Sequence, residues 1–170
     1  MKRILIMVLT FILPYLIAFV YIINTDSKND QVDIQKTYHE NGQLKEEIPY
    51  IEDKKHDIWK TYYETGQLES ETPLVNNKEH GIKKGYYKTG ELMYEFPYQN
   101  GKLHGIGKEY YVSGQLKAEM PWVNTEHGLN CISKKYYENG QIKEESWYVD
   151  GYLRGTNNYD ENGNIIIKKK

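Results

Sequence analysis

The sequence predicts an all-β protein, an elongated single-layer antiparallel meander of about six hairpin repeats, preceded by one N-terminal transmembrane helix. Three observations predict it. A tyrosine-glycine-leucine frame recurs six times between residues 37 and 167 of the 170-residue chain, with glycine at positions 42, 66, 90, 114, 140 and 163. Its intervals of 24, 24, 24, 26 and 23 residues are the mark of one supersecondary unit stacked end to end. Around each glycine, apolar and polar residues alternate with the two-residue period of a strand. Ahead of the repeats runs an uncharged, mostly aliphatic stretch from Ile4 to Ile23.

Taken in order, Met1-Lys2-Arg3 is a short basic start, expected to stay in the cytoplasm. Residues 4–23 are enough helical residues, at about 1.5 Å each, to span roughly 30 Å of hydrocarbon. They read as a transmembrane helix or signal anchor. A cleaved signal peptide, giving a secreted protein, is the alternative, but the apolar run lacks a small-x-small ending and continues through Phe19-Val20-Tyr21-Ile22-Ile23. Residues 24–35 form a linker, and 36–170 the repeat domain. The expected location is the cell membrane, single-pass, with the repeats outside the cytoplasm.

Counting from each glycine as zero, tyrosine stands at minus four in every unit: Tyr38, Tyr62, Tyr86, Tyr110, Tyr136 and Tyr159. Leucine or isoleucine stands at plus two. The residue before glycine is Asn41, Thr65, Thr89, Ser113, Asn139 or Asn162, and threonine resists the positive φ that a two-residue type I′ turn demands. A type I turn with a G1 bulge needs positive φ at glycine alone, so Gly42, Gly66, Gly90, Gly114, Gly140 and Gly163 are structural turn residues.

That turn sets plus two opposite minus four. Extended outward without interruption, the register sets plus six opposite minus eight, so that Ile48 meets Ile34 and Phe96 meets Ile82. One mainly aromatic face then collects minus eight, minus six, minus four, plus two, plus six and plus eight. The glutamates at plus five (Glu47, Glu71, Glu95, Glu119 and Glu145) fall on the opposite, water-facing side. Proline at plus seven in the first four units sits near the strand end, where a missing N–H is tolerated. The Leu129-Asn130-Cys131 insertion predicts a bulge or widened loop in unit five. His39 and Asp160 replace the tyrosine found at minus three elsewhere, as capping repeats do.

Composition narrows the function classes. Without Lys2 and Arg3, 20 basic residues face 24 acidic ones, and no overall basic surface exists to displace counterions from phosphates, so no nucleic acid is expected. The single cysteine, Cys131, excludes an internal disulfide and reads as a packed small residue. His56, His80, His104 and His127 recur at spacings of 24, 24 and 23. Equivalent loop positions would lie roughly 10 Å apart, too far to share a metal whose ligands approach to about 2.1 Å. No phosphate loop and no nucleophile with a recurring base is present, and the carboxylate row surrounds no cleft. The expectation is no enzyme, no catalytic residue, no metal, no cofactor and no small-molecule substrate.

Tyr86-Tyr87-Lys88-Thr89-Gly90-Glu91-Leu92 followed by His104-Gly105 resembles the variant MORN repeat. The likeness covers about residues 37 to 167. It implies a meandering antiparallel sheet used as a scaffold, in a class linked to protein association and to membrane lipids. Some relatives are labelled antitoxin components of toxin–antitoxin systems, of the YwqK family.

A single-layer sheet has little against which to bury an aromatic face, which is therefore curled inward or covered by another chain. The partner-binding face expected from the register comprises Tyr62, Tyr86, Tyr98, Tyr110, Trp122, Tyr136, Tyr148, Lys84 and Lys108. The lysine stems could alternatively just shield apolar surface. The preferred function is a membrane-anchored scaffold for a protein partner or for self-association. A lipid-associating spacer, using pairs such as Lys54-Lys55 and Lys83-Lys84, and an antitoxin-like inhibitor of a cognate toxin are the alternatives.

Overall fold

The computed structural model describes residues 32–122 and 131–167. The expected membrane helix and the Leu129-Asn130 insertion lie outside the described residues. Among the described residues no helix is long and apolar enough to cross a membrane. The described residues of the repeat unit, which begins at Asp33, are all-β.

Five hairpins follow one another: β1 (Asp33–Tyr38) with β2 (Leu44–Ile51), β4 (Asp57–Tyr62) with β5 (Leu68–Val75), β7 (Gly81–Tyr86) with β8 (Leu92–Gln99), β10 (Gly105–Tyr110) with β11 (Leu116–Trp122), and β12 (Cys131–Tyr136) with β13 (Ile142–Val149). Strand β14 (Tyr152–Asn158) pairs with β13. Its own hairpin partner shrinks to one bridge, Tyr159 to Ile165, so the sixth expected hairpin is only partly formed. Two-residue strands β3 (Lys54–Lys55), β6 (Lys78–Glu79) and β9 (Lys102–Leu103) fold back on the ends of β2, β5 and β8. All lie in one antiparallel sheet whose main path keeps sequence order. This is the topology of a meander, since each short connection leaves its strands as neighbours.

Two turn types alternate, for different chemical reasons. At the first, the backbone N–H of Gly90 donates to the Tyr87 carbonyl at 2.9 Å and that of Tyr87 to the Glu91 carbonyl at 2.8 Å, with the same pair of bonds in the other units. The six turn glycines have φ between 83° and 100°, whereas none of the residues before them is positive. The geometry is the type I turn with a G1 bulge. The second turn uses two consecutive positive-φ residues, Glu52-Asp53, Asn76-Asn77, Asn100-Gly101 and Asp150-Gly151, which is the type I′ pattern. Beyond it, the His80 and His104 amides donate to the carbonyls of Pro73 and Pro97, at 3.0 and 2.9 Å. The following Gly81 and Gly105 take φ of 113° and 115°, and a Cβ there would lie 3.3 and 3.1 Å from proline carbons.

The uninterrupted register expected from the sequence does not hold. Tyr38 pairs with Leu44, but Thr37 pairs with Glu46, because Lys45 is an extra residue in the second strand. Glu69, Met93, Lys117 and Lys143 are skipped in the same way. This second bulge at plus three shifts all outer pairs by one. Minus eight faces plus seven, not plus six, giving Ile34 to Pro49, Ile58 to Pro73, Ile82 to Pro97, Ile106 to Pro121 and Ile132 to Trp147. A one-residue slip moves each side chain to the other face, so plus six and plus eight leave the face of the repeated tyrosines.

The core is thin. It runs along the second strands through Ile48, Ser70, Thr72, Leu74, Ala118 and Ser146, with Thr72 only 2% exposed. Among the described residues no side chain of large volume is completely enclosed. The minus-eight isoleucines stay exposed on the other side of the sheet.

Candidate functional site

With the register established, the two faces separate into a constant and a varied one. The first holds the residues that recur in every complete unit. From Lys60 onward, each minus-six lysine pairs with the plus-five glutamate of its own hairpin and with that of the preceding one. Across the sheet this gives one alternating row, Lys36, Glu47, Lys60, Glu71, Lys84, Glu95, Lys108, Glu119, Lys134, Glu145, ending on Asn157. Lys36 and Glu47 approach to 2.7 Å, Lys134 and Glu145 to 3.4 Å, and Lys84 and Glu95 to 3.9 Å.

The same glutamates fasten the repeats together. The Tyr62 hydroxyl donates to Glu47 Oε2 at 2.9 Å, Tyr86 to Glu71 at 2.9 Å, Tyr110 to Glu95 at 3.0 Å, Tyr136 to Glu119 at 3.0 Å and Tyr159 to Glu145 at 2.8 Å. Burial first, and then the adjacent carboxylate, pushes the phenols of Tyr62, Tyr86 and Tyr136 up to about 12. The bond from Lys36 and then that from Tyr62 hold the Glu47 carboxyl below its ordinary range. The glutamates expected to face water are therefore half-buried acceptors on the tyrosine face.

A second clasp lies at minus three. Tyr63, Tyr87, Tyr111 and Tyr137 donate their hydroxyls to the backbone carbonyls of Tyr86, Tyr110, Tyr136 and Tyr159, at 2.6 to 2.8 Å. In unit one, His39 Nε2 bonds the Tyr62 carbonyl at 2.8 Å. His39 is thus a working substitute for the tyrosine, while Asp160 accepts bonds from Asn162 and Asn164 in its own turn.

The opposite face, built from minus seven, minus five, plus four, plus six and plus eight, differs from unit to unit. Plus four reads Glu46, Ser70, Tyr94, Ala118, Glu144, and plus six reads Ile48, Thr72, Phe96, Met120, Ser146. Tyr94 and Phe96 stack with ring centroids 4.9 Å apart. The Tyr94 ring covers Gly85 so closely that any Cβ would collide with it, and Phe96 Cδ1 lies 2.6 Å from the place of a Cβ on Gly107. Rings laid over glycine supply the contact that a missing side chain leaves open. In units two and one, Trp59 Nε1 donates to Glu46 at 3.2 Å beneath the Lys55 ammonium. Toward unit five, Met120, Trp122, Cys131, Lys135, Glu144 and Tyr148 border a cleft of about 370 Å³. Burial pushes the Cys131 thiol up from its ordinary value.

The structure therefore divides the expected binding residues. Tyr62, Tyr86, Tyr110, Tyr136, Lys84 and Lys108 lie on the constant face, where the four hydroxyls bond glutamates of the preceding repeat and the two lysines stand opposite glutamates in the strand register. Tyr98, Trp122 and Tyr148 lie on the varied face. Sequence reasoning missed Tyr94 and Trp59, whose signal was present as large aromatics at positions that do not repeat, and it placed Phe96 on the side of the repeated tyrosines when it lies on the other.

A meander of hairpins held by a constant ladder, with variation confined to one side, defines a repeat scaffold. A profile of the MORN repeat variant matches residues 34–52, 58–76, 79–100, 103–124 and 132–150, together more than half of the chain. The chain belongs to this family. A search of curated proteins finds no match.

Proposed function

We propose that this protein is a binding scaffold, not a catalyst, whose varied sheet face seats a protein partner. One observation carries the reading: within a single chain, one face repeats its chemistry unit after unit while the other departs at each of its five positions. Residues that hold repeats together must recur, because each junction poses the same geometric problem. Residues that read a partner need not. The varied face also concentrates rigid aromatic and methionine side chains, among them Tyr94, Phe96, Tyr98, Met120 and Trp122, the residue types that serve as interface anchors. The apolar run from Ile4 to Ile23 supports a membrane tether with the scaffold outside the cytoplasm.

Affinity purification of the full chain from membranes tests this reading when done with paired variants. Tyr98→Ser combined with Trp122→Ala should abolish capture of the specific partner, and Ile82→Thr on the constant face should retain it. Equal capture by both variants would refute the assignment.

A further inference from the structure

The alternating row has two unlike ends. At its far end it stops on Asn157, a neutral residue, and Asp160 turns back on its own loop. At its near end it stops on Lys36, whose interior counterparts Lys60, Lys84, Lys108 and Lys134 each stand between two glutamates. Lys36 stands beside one, Glu47. The Tyr38 hydroxyl shows the same deficit. Its five equivalents donate to the glutamate of a preceding unit, whereas Tyr38 has no preceding unit among the described residues and is 59% exposed. The whole of β1 is exposed, and among the described residues no strand pairs with its outer edge.

We infer that the outer edge of β1 is a docking site for an extended acidic segment of a partner protein, which adds to the sheet as an antiparallel strand. Its glutamate stands opposite Lys36 and accepts from the Tyr38 hydroxyl. The interior of the sheet displays the required contact at every junction: β2 presents Glu47 to Lys60 and to Tyr62 in the way an incoming strand would present its carboxylate to Lys36 and Tyr38. Main-chain pairing supplies attraction along such an edge, and the charged residue fixes the register.

Charge selects against a second copy of this chain. In a head-to-tail stack the position five residues after Gly163 would face Lys36, and that residue is Lys168, followed by Lys169 and Lys170. Two β1 edges in antiparallel pairing offer no glutamate to each other, since the strand reads Asp33-Ile34-Gln35-Lys36-Thr37-Tyr38. Like charges set directly opposite each other destabilise a strand pair.

The site is distinct from the varied face, and its test is independent of any partner found there. The probe is a blocked peptide with the sequence of residues 67–75, Gln67 through Val75, which carries the interior glutamate Glu71. Added to the full chain, it should bind by fluorescence anisotropy and slow hydrogen exchange at the β1 amides that point away from β2. A peptide with Glu71→Lys should bind about tenfold more weakly, because a charge-assisted contact becomes a like-charge one. Lys36→Glu in the protein should reverse the order of the two peptides, and Tyr98→Ser should change neither. Equal binding of the two peptides, or no binding, would overturn the proposal without touching the varied-face reading. So would β1 amides already protected in the free chain, with its own N-terminal segment or a second copy occupying the edge.

Discussion

The constant and varied faces share one backbone and one set of strands, yet the first repeats nearly every residue and the second holds no position constant across the units. The difference follows from where adjacent units must meet. Each junction is made by a glutamate that serves a lysine of its own hairpin, a lysine of the next and a tyrosine hydroxyl of the next. Replacing any member leaves a half-buried polar group without its partner, which costs more than the bond contributes. The varied face makes contacts mostly within a hairpin or with one neighbour, and those can be solved locally by stacking rings, by small residues or by glycine beneath an aromatic.

The broadest way to break the contrast is to titrate the constant face. Phenols held at about 12 when folded, against an ordinary value of 10, favour the folded state fully below pH 10. That stability is lost as pH rises through 12. Absorbance of tyrosinate and far-ultraviolet dichroism should show late ionisation accompanied by loss of the sheet. Ionisation near pH 10 with the sheet intact would mean that the hydroxyl–carboxylate bonds contribute little.

A local break is next in size. Gly85→Val forces a side chain into the space of the Tyr94 ring and should destabilise by about 2–3 kcal/mol in denaturant unfolding. Gly85→Val combined with Tyr94→Ser should recover part of that loss. On the constant face, Tyr86→Phe removes the donor to Glu71 and should cost about 1–2 kcal/mol. The same change in Tyr94, for which no hydroxyl bond of this kind recurs, should cost less, and equal losses would erase the distinction between the faces. The smallest effect is expected for Lys84→Ala, under about 1 kcal/mol, because its 3.9 Å pair with Glu95 is partly exposed and screened by water.

How much could be read in advance differs by residue. Gly90 with Thr89 before it disclosed the turn type, and the turn fixed Tyr86 opposite Leu92. Beyond that pair the reading slipped, because nothing at Met93 or Lys117 announces an extra residue: bulges at this position carry no fixed side chain. The correct register was nonetheless encoded in complementarity. It places Lys84 opposite Glu95 and Ile82 opposite Pro97, and does the same with lysine and glutamate in all five complete units. The clasp from Tyr87 to the Tyr110 carbonyl was not legible, since its acceptor is backbone and leaves no trace in residue type.

By itself the sequence determined the period, the strand content, the glycine turns and the identity of the repeated residues, because these follow from local dihedral preferences and two-residue alternation. Only the tertiary structure decided which side of the sheet each of those residues occupies. A single unpaired residue in every second strand inverts the faces, and the choice between the two inversions rests on contacts between strands more than a dozen residues apart.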